Sequence, residues 1–541
     1  MTYSALGHVG HTYAFALQGW QDRDEFPRWF DLLGEYLPHR SPSMSLSVSS
    51  TRPNSIPVQR GPPLFPPEPV TTPHFLPLAP HPGNTAPPPP RRPTLAPLPA
   101  GWTRSFHAAP AAYPHDLREC HGTLSRDSHP FGDPAPREGE SKAERHARLD
   151  HLTRAAVQAR LESHEWTLEE GLAAQPKGMF VALERWKRDV PLGGHTIVCT
   201  HPNGTQKEHW HPTLRRLLAR TRDSSPAIAF GTGAPLDYTP DVLIDDIWLM
   251  DHHNHGASVD LNAGAYGPVE IWDDVGRDIL NFVVHVLPGA KAQDAPPWQL
   301  SWLADGAAPP VRILGFGGSY GGVGHTMAAH SRPDLYAGLF LADSLIAPKL
   351  QSAEDFQEPD TAGHVRAALK RRDGWPSRAE AGRTWQQLDF YRAWHPEVFA
   401  LTLSHGLVRV DAEGKTDSVG DPDIDDAPVV LATPTWAEAA VFMEPVSGAR
   451  SWDKLPTLHV PVGFVVAKSL FPLRLNQEMV WRPPLARNEH LPDTDHLCLQ
   501  ADPAAIADAA WRFLQTIAVG WGSKEEIRAS YDRIVDDKAK L

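Results

Sequence analysis

The chain has 541 residues, a formal net charge of −14 and 21% charged residues. That acidic balance disfavours nucleic acid or an anionic membrane surface as the main partner, and no apolar run approaches the roughly 18 residues of a membrane span. Only three cysteines occur, Cys120, Cys199 and Cys498, a sparse and odd set that argues against a disulfide framework and for a reducing compartment. The first residues carry no signal-peptide pattern, so secretion is not expected.

Residues 1–138 are expected to be largely disordered. An aromatic patch (Phe26, Trp29, Phe30, Leu32, Leu33) is too small to bury a core, and 20 prolines follow between Pro38 and Pro99. Such sequence buries too little apolar surface to offset its ordering entropy and reads as an extended linker. Residues 141–162 space Leu149, Leu152, Ala156 and Ala159 as an exposed helix leading into the fold, and 178–185 read as a strand. A strand, polar turn and helix then follow in residues 195–200, His201-Pro-Asn-Gly204 and 210–220.

The unit recurs. A strand over 242–250 ends in Asp251-His-His-Asn-His-Gly256 and precedes a helix over 272–287, with Trp272, Val275, Ile279, Phe282 and Val286 on one face. Residues 311–314 form a buried strand, and 321–330 a helix. Residues 338–342 form another strand, ending at Asp343. Strands alternating with helices specify an α/β fold, a mostly parallel sheet covered on both faces, with its site at the carboxyl ends of the strands.

Residues 350–455 interrupt this rhythm with a helical block rich in Trp and His: Trp375, Trp385, Phe390, Tyr391, Trp394 and Phe399. Placed between strands, it reads as a helical lid over the pocket mouth, the alternative being a structural satellite cluster. A strand over 460–467, His496 in a loop and a helix over 503–514 complete the core. The expected division is a first core segment at 139–349, the lid at 350–455, a second core segment at 456–520 and a tail at 521–541.

The chemistry is placed at Gly315-Phe-Gly-Gly-Ser-Tyr-Gly-Gly322, where a strand breaks into glycines around Ser319. This is a nucleophile-elbow pattern: Gly317 and Gly321, two residues either side, let strand and helix approach. A phosphate loop is disfavoured because no Gly-Lys-Ser/Thr ending occurs, and the glycine spacing of a dinucleotide fingerprint is wrong. Acyl transfer by a serine needs a base, an acid that orients it and donors for the oxyanion. His496 is the expected base, between the last strand and the last helix. Asp343, ending the strand after the nucleophile, is the expected acid; no carboxylate follows 460–467 until Glu478, and Asp495 is the outside alternative. The backbone N–H groups of Tyr320 and Asn203 are the expected oxyanion hole. The histidines near 252–255, with His209 and His211, raise a metal reading. No His-Glu-x-x-His helix accompanies them, and no metal is expected.

Residues 165–515 resemble the α/β-hydrolases, and more narrowly the fungal peroxisomal hydrolases of toxin-biosynthesis and lipase type. The resemblance is carried by His201-Pro-Asn-Gly-Thr-Gln-Lys-Glu208, by Asp251-His-His-Asn-His-Gly256 with Ser258 and Asn262, by residues 315–322, and by Trp394-His-Pro-Glu397. Two positions depart from that pattern: Gly318, where these proteins often carry histidine, and His253, where arginine is usual. The resemblance implies an α/β-hydrolase fold with a helical lid and no cofactor. In keeping with it, Ala539-Lys540-Leu541 is a close variant of the Ser-Lys-Leu tripeptide read by the peroxisomal import receptor. The expectation is a peroxisomal serine hydrolase acting on an apolar ester or acyl thioester. The rival is a non-catalytic ligand-binding or interaction protein on the same scaffold.

Overall fold

The structure is a computed structural model that describes residues 55–56, 58, 75–83, 87–90, 95–116, 137–221, 228–233, 236, 241–348, 359–410, 416–417, 427–444, 446–468 and 473–539. The aromatic patch at Phe26–Leu33 and the residues Lys540 and Leu541 lie outside them.

Eight strands form the central sheet: β1 (Trp102–Pro110), β2 (Phe180–Arg188), β3 (His195–Thr200), β4 (Ile244–Met250), β5 (Ile313–Gly318), β6 (Tyr336–Ala342), β7 (Val462–Ala467) and β8 (Ala486–Leu491). They lie in the order β1-β2-β4-β3-β5-β6-β7-β8. The first two pairings are antiparallel, and every pairing from β4 to β8 is parallel. Alternate residues feed two apolar cores. Val198 and Trp248 join one, while Ile197, Cys199, Ile247, Leu249, Leu314 and Phe316 join the other. This is the period-two division of a sheet buried on both sides.

Helices cover each face. The helices α1 (Lys142–Leu161), α3 (Trp272–Asn281) and α4 (Tyr320–Ser331) contribute Leu149, Leu152, Val275, Ile279, Val323 and Met327 to the first core. The helices α2 (His211–Arg220) and α7 (Pro503–Val519) contribute Leu214, Leu217, Ile506, Phe513 and Leu514 to the second. The Ser141 side chain and Glu144 form a reciprocal capping box at the start of α1, which satisfies two otherwise orphaned N–H groups. Past Asn281, α3 continues through a π-helical turn at Phe282–Val286.

Two strands differ from the sequence reading. Residues 102–110, expected to be irregular, form β1 and pair along their whole length with β2. Residues 486–491, given no element from the sequence, form β8. Both carry polar residues that distant partners satisfy. Arg104 pairs with Glu184 at 2.7 Å, the His107 ring bonds the Pro297 carbonyl at 2.8 Å, and Glu489 receives two bonds from Arg512 at 2.6 and 2.7 Å. Parts of the proline-rich segment are also anchored. Ile56 is buried, its N–H donates to Asn488 Oδ1 at 2.7 Å, and Arg277 Nε donates to the Leu76 carbonyl at 3.0 Å.

Between β6 and β7 lies an insertion with its own four-stranded antiparallel sheet, in the order Thr416–Asp417, Leu407–Val410, Val429–Leu431, Gly374–Trp375. It also contains α5 (Pro396–His405) and α6 (Thr435–Phe442). Its aromatic residues pack on each other: Trp375, Trp385, Tyr391 and Trp394 are buried in one cluster, with Trp385 and Tyr391 stacked at 4.9 Å. These rings form the insertion's own core.

Glu489 is almost wholly buried. Arg512→Ala removes its counter-charge and is expected to destabilise the fold by about 3 kcal/mol, the range for breaking a buried pair on one side. Urea denaturation measures this; an unchanged midpoint is the contrary result.

Candidate active site

β5 ends at Gly318 and α4 begins at Tyr320, so the reversal from strand to helix falls on Ser319 alone. Its φ of 53° and ψ of −127° lie outside the regions a side chain favours, at a cost of about 1–3 kcal/mol. Backbone bonds hold it there. The Ser319 N–H donates to the Ala342 carbonyl at 3.1 Å, and its own carbonyl accepts from Gly322 at 3.1 Å. A Cβ on Gly317 would lie 2.4 Å from Gly322 Cα, and one on Gly321 2.8 Å from the His201 carbonyl oxygen. Neither position admits a side chain. At Gly318, a Cβ would meet the Pro202 ring at 3.2 Å, so a side chain there would press on the turn after β3.

Ser319 Oγ lies 2.9 Å from His496 Nε2, and His496 Nδ1 lies 2.7 Å from Asp343 Oδ2. All three residues are buried. Asp343 follows the last residue of β6 with a φ of 45°. Its N–H donates to the Val465 carbonyl at 2.7 Å, and its Oδ1 accepts from the Ala467 N–H at 2.9 Å. β7 thus aims the carboxylate without supplying one. With Nδ1 facing an acceptor, the proton is assigned to Nδ1, and Nε2 is left to accept from the serine hydroxyl.

The turn His201–Gly204 lies against the Ser319 turn, tied by Thr200 Oγ1 donating to the Gly321 carbonyl at 3.0 Å. Pro202 has no N–H, and the Gly204 N–H donates to His255 Nε2 at 3.1 Å. Of the three residues 202–204, Asn203 is the one left with an N–H to offer a ligand. The Asn203 side chain donates to the Glu438 carbonyl, on α6, at 3.1 Å. The Tyr320 N–H, at the first position of α4, has no partner one turn back, as at any helix start.

A buried polar network underlies these turns. Asp251 accepts from the Lys207 N–H at 2.9 Å, from Lys207 Nζ at 2.7 Å and from the Ala257 N–H at 3.0 Å. Burial opposes the Lys207 charge, but the carboxylates of Asp251 and Glu208 outweigh it and raise its pKa. Burial pushes His201 down to about 4, partly opposed by Asp251. His252 Nε2 bonds the His201 carbonyl at 2.9 Å. His209 lies between Thr402 on α5, at 2.9 Å, and Gln500, at 3.1 Å, and so joins the insertion to the chain just after His496. His211 meets Glu184 at 2.9 Å.

His253 lies 3.1 Å from Glu270 and 3.6 Å from Asp278. Burial disfavours its charge, yet the two carboxylates prevail and hold its pKa well above the usual value. The two carboxylates favour a positive charge at this position. Lys207, Asp251, His253 and His255 lie in the segments that carry the resemblance, and nothing in their spacing predicts these contacts. Residues 201–208 and 251–256 were the available signal, and the structure shows the two segments bonded to each other.

A sheet in this strand order, with a serine at a strained turn after β5, an acid after β6 and a histidine after β8, has the α/β-hydrolase fold. It is similar to the peroxisomal α/β-hydrolase Lpx1 from Saccharomyces cerevisiae, with 13% identity over 82% of this chain and 99% of that one and a TM-score of 0.51. A thermophilic esterase from Thermogutta terrifontis, at 16% identity over 64% of this chain and 96% of that one, gives a TM-score of 0.38. No protein-family model and no curated protein sequence matches the chain.

Because the folded-state pKa of His253 is raised, its contribution to stability is complete below its unfolded value of about 6.5 and is lost as pH rises through the folded value. The stability difference between wild type and His253→Gln is therefore expected to be largest in acid and to shrink at alkaline pH. Denaturation midpoints across the range test this, and a difference that widens with pH contradicts it.

Proposed function

We propose that the chain is a serine hydrolase that cleaves a carboxylic ester or acyl thioester through a Ser319 acyl-enzyme. The observation that carries this is the unbroken run Ser319 Oγ, His496, Asp343 at 2.9 and 2.7 Å, set on a backbone turn strained in the way a nucleophile elbow requires. Ser319 Oγ attacks the carbonyl carbon while His496 Nε2 takes its proton. The carbonyl electron pair moves onto oxygen, where the N–H groups of Tyr320 and Asn203 receive it. Collapse of this intermediate breaks the bond to the alcohol or thiol, which leaves with the proton from His496. Water, deprotonated by His496, then attacks the acyl-enzyme, and the free acid departs with Ser319 regenerated. Asp343 remains ionised and holds the ring.

The insertion is read as the lid. Support comes from its bonds beside the site, through Glu438 to Asn203 and from the His395 N–H to the Gln500 carbonyl at 2.9 Å. Leu497, next to His496, packs against the insertion's aromatic cluster and so joins the insertion to the His496 loop. The Trp and Tyr rings are used in the insertion's own core, so an apolar substrate is proposed from the sequence resemblance and not from an aromatic lining. The rival, a non-catalytic binder, leaves the strained serine without a use.

A fluorophosphonate is expected to label Ser319, and Ser319→Ala to lose both label and turnover of p-nitrophenyl esters and acyl thioesters. Asp343→Asn is expected to lower kcat by about 10⁴-fold, since the ring loses its tautomer and orientation. A folded protein that takes no adduct at Ser319 sinks the proposal.

A peroxisomal location accords with Ala539-Lys540-Leu541 and with the location named for the yeast protein of similar fold. A fluorescent protein joined ahead of the chain is expected to enter peroxisomes, and to remain outside once those three residues are removed. Import that survives the removal contradicts the receptor assignment.

A further inference from the structure

The mechanism leaves unused the histidine that holds the oxyanion turn. His255 is fully buried. Its Nε2 lies 3.1 Å from the Gly204 nitrogen, and its Nδ1 lies 2.6 Å from Asn254 Oδ1. Asn254 Nδ2 in turn donates to Glu270 Oε2 at 3.1 Å, and Glu270 faces His253 at 3.1 Å. The chain of bonds therefore has a direction. A backbone N–H can only donate, so Nε2 must accept from Gly204 and Nδ1 must carry the proton. Asn254 accepts that hydrogen bond through its oxygen and donates through Nδ2 to Glu270 Oε2. The opposite tautomer would turn a hydrogen toward the Gly204 N–H and a lone pair toward Asn254 Oδ1. It would improve one contact, that of Asn203 Oδ1 at 3.0 Å from Nε2.

We infer that His255 is a positioning residue for the oxyanion hole: by accepting from the Gly204 N–H and resting against the Asn203 side chain, it fixes the Asn203 peptide with its N–H free to meet the oxyanion. Two observations make this more than packing. Gly204 has a φ of +69°, so the turn is held in a backbone conformation that other bonds must maintain. The adjacent residue, Asn203, is also pinned from the opposite side by the Glu438 carbonyl. Its side chain is thus anchored to α6, while its N–H carries no protein partner among the described residues. Burial, with His201 and His253 nearby, keeps the His255 pKa well below the usual value, which preserves the neutral ring that this acceptor role needs.

The inference rests on the serine-hydrolase reading, and the test separates the two. Wild type is first labelled with a fluorophosphonate; without an adduct at Ser319 the parent reading fails. Given labelling and ester turnover, His255→Ala is expected to lower kcat by about 100-fold, the scale of one lost oxyanion donor, with KM within about threefold. Affinity for a trifluoromethyl ketone, which becomes tetrahedral on Ser319, is expected to fall in step with kcat/KM. His255→Gln, which keeps an acceptor beside Gly204, is expected to recover at least about tenfold of the loss. A folded His255→Ala with wild-type kcat and ketone affinity overturns the inference. So does a loss confined to KM. If His255→Ala does not fold, Asn254→Ala is measured instead, because it removes the group that sets the tautomer. The same kcat loss is expected there, and retained kcat overturns the inference.

Discussion

At Ser319 the backbone passes from strand to helix in a single residue, and Asp343, one strand on, is held in a second left-handed conformation. Each costs about 1–3 kcal/mol, comparable to the roughly 1.5–3 kcal/mol gained by burying one large apolar side chain. The sheet around them is what makes this tolerable. Phe316 and Leu314 on β5 and Phe340 on β6 are fully buried, and the N–H groups of Ser319 and Asp343 are both taken by the neighbouring strand. The same bonds that fix the strain also set the distance between Ser319 and Asp343. His496, arriving from the loop after β8, has only to reach between them.

The second half of the site is built on a different principle. The turn after β3 has no strand ladder to hold it, and side chains do the work instead: Asp251 grips Lys207, His252 grips the His201 carbonyl, and His255 grips Gly204. The side chains of Lys207, Asp251, His252 and His255 are all buried, so each bond they left unmade would carry a desolvation cost. That gives residues 201–208 and 251–256 a structural reason to occur together.

What could be read from the chain follows from how local each feature is. β5, the Ser319 turn and α4 are written in adjacent residues, as apolar run, glycines and small residues, and Asp343 closes an unambiguous strand. His496 was legible by its order in the chain. β1 and β8 were not, because their periodicity is broken by Arg104, His107, Asn488 and Glu489, whose partners stand far off in sequence. The insertion's aromatic rings illustrate another limit. Composition shows that rings are present, whereas only packing shows that Trp385 and Tyr391 face each other rather than a substrate. The spacing of residues 251–256 likewise does not show that His253 sits between the carboxylates of Glu270 and Asp278.

β8 closes the sheet on its far side, and its free edge does not face water undefended. The Tyr531 hydroxyl bonds both the N–H and the carbonyl of Asn488, at 2.9 and 3.1 Å, and Ile56 docks on the Asn488 side chain. An uncovered edge strand is a template for pairing with another chain. Ile56, from the proline-rich segment, and Tyr531, on the helix Lys524–Ala539, therefore both cover this edge at Asn488. A chain lacking Ile56 and Tyr531 would leave the Asn488 N–H and carbonyl open on that edge, where another strand could pair.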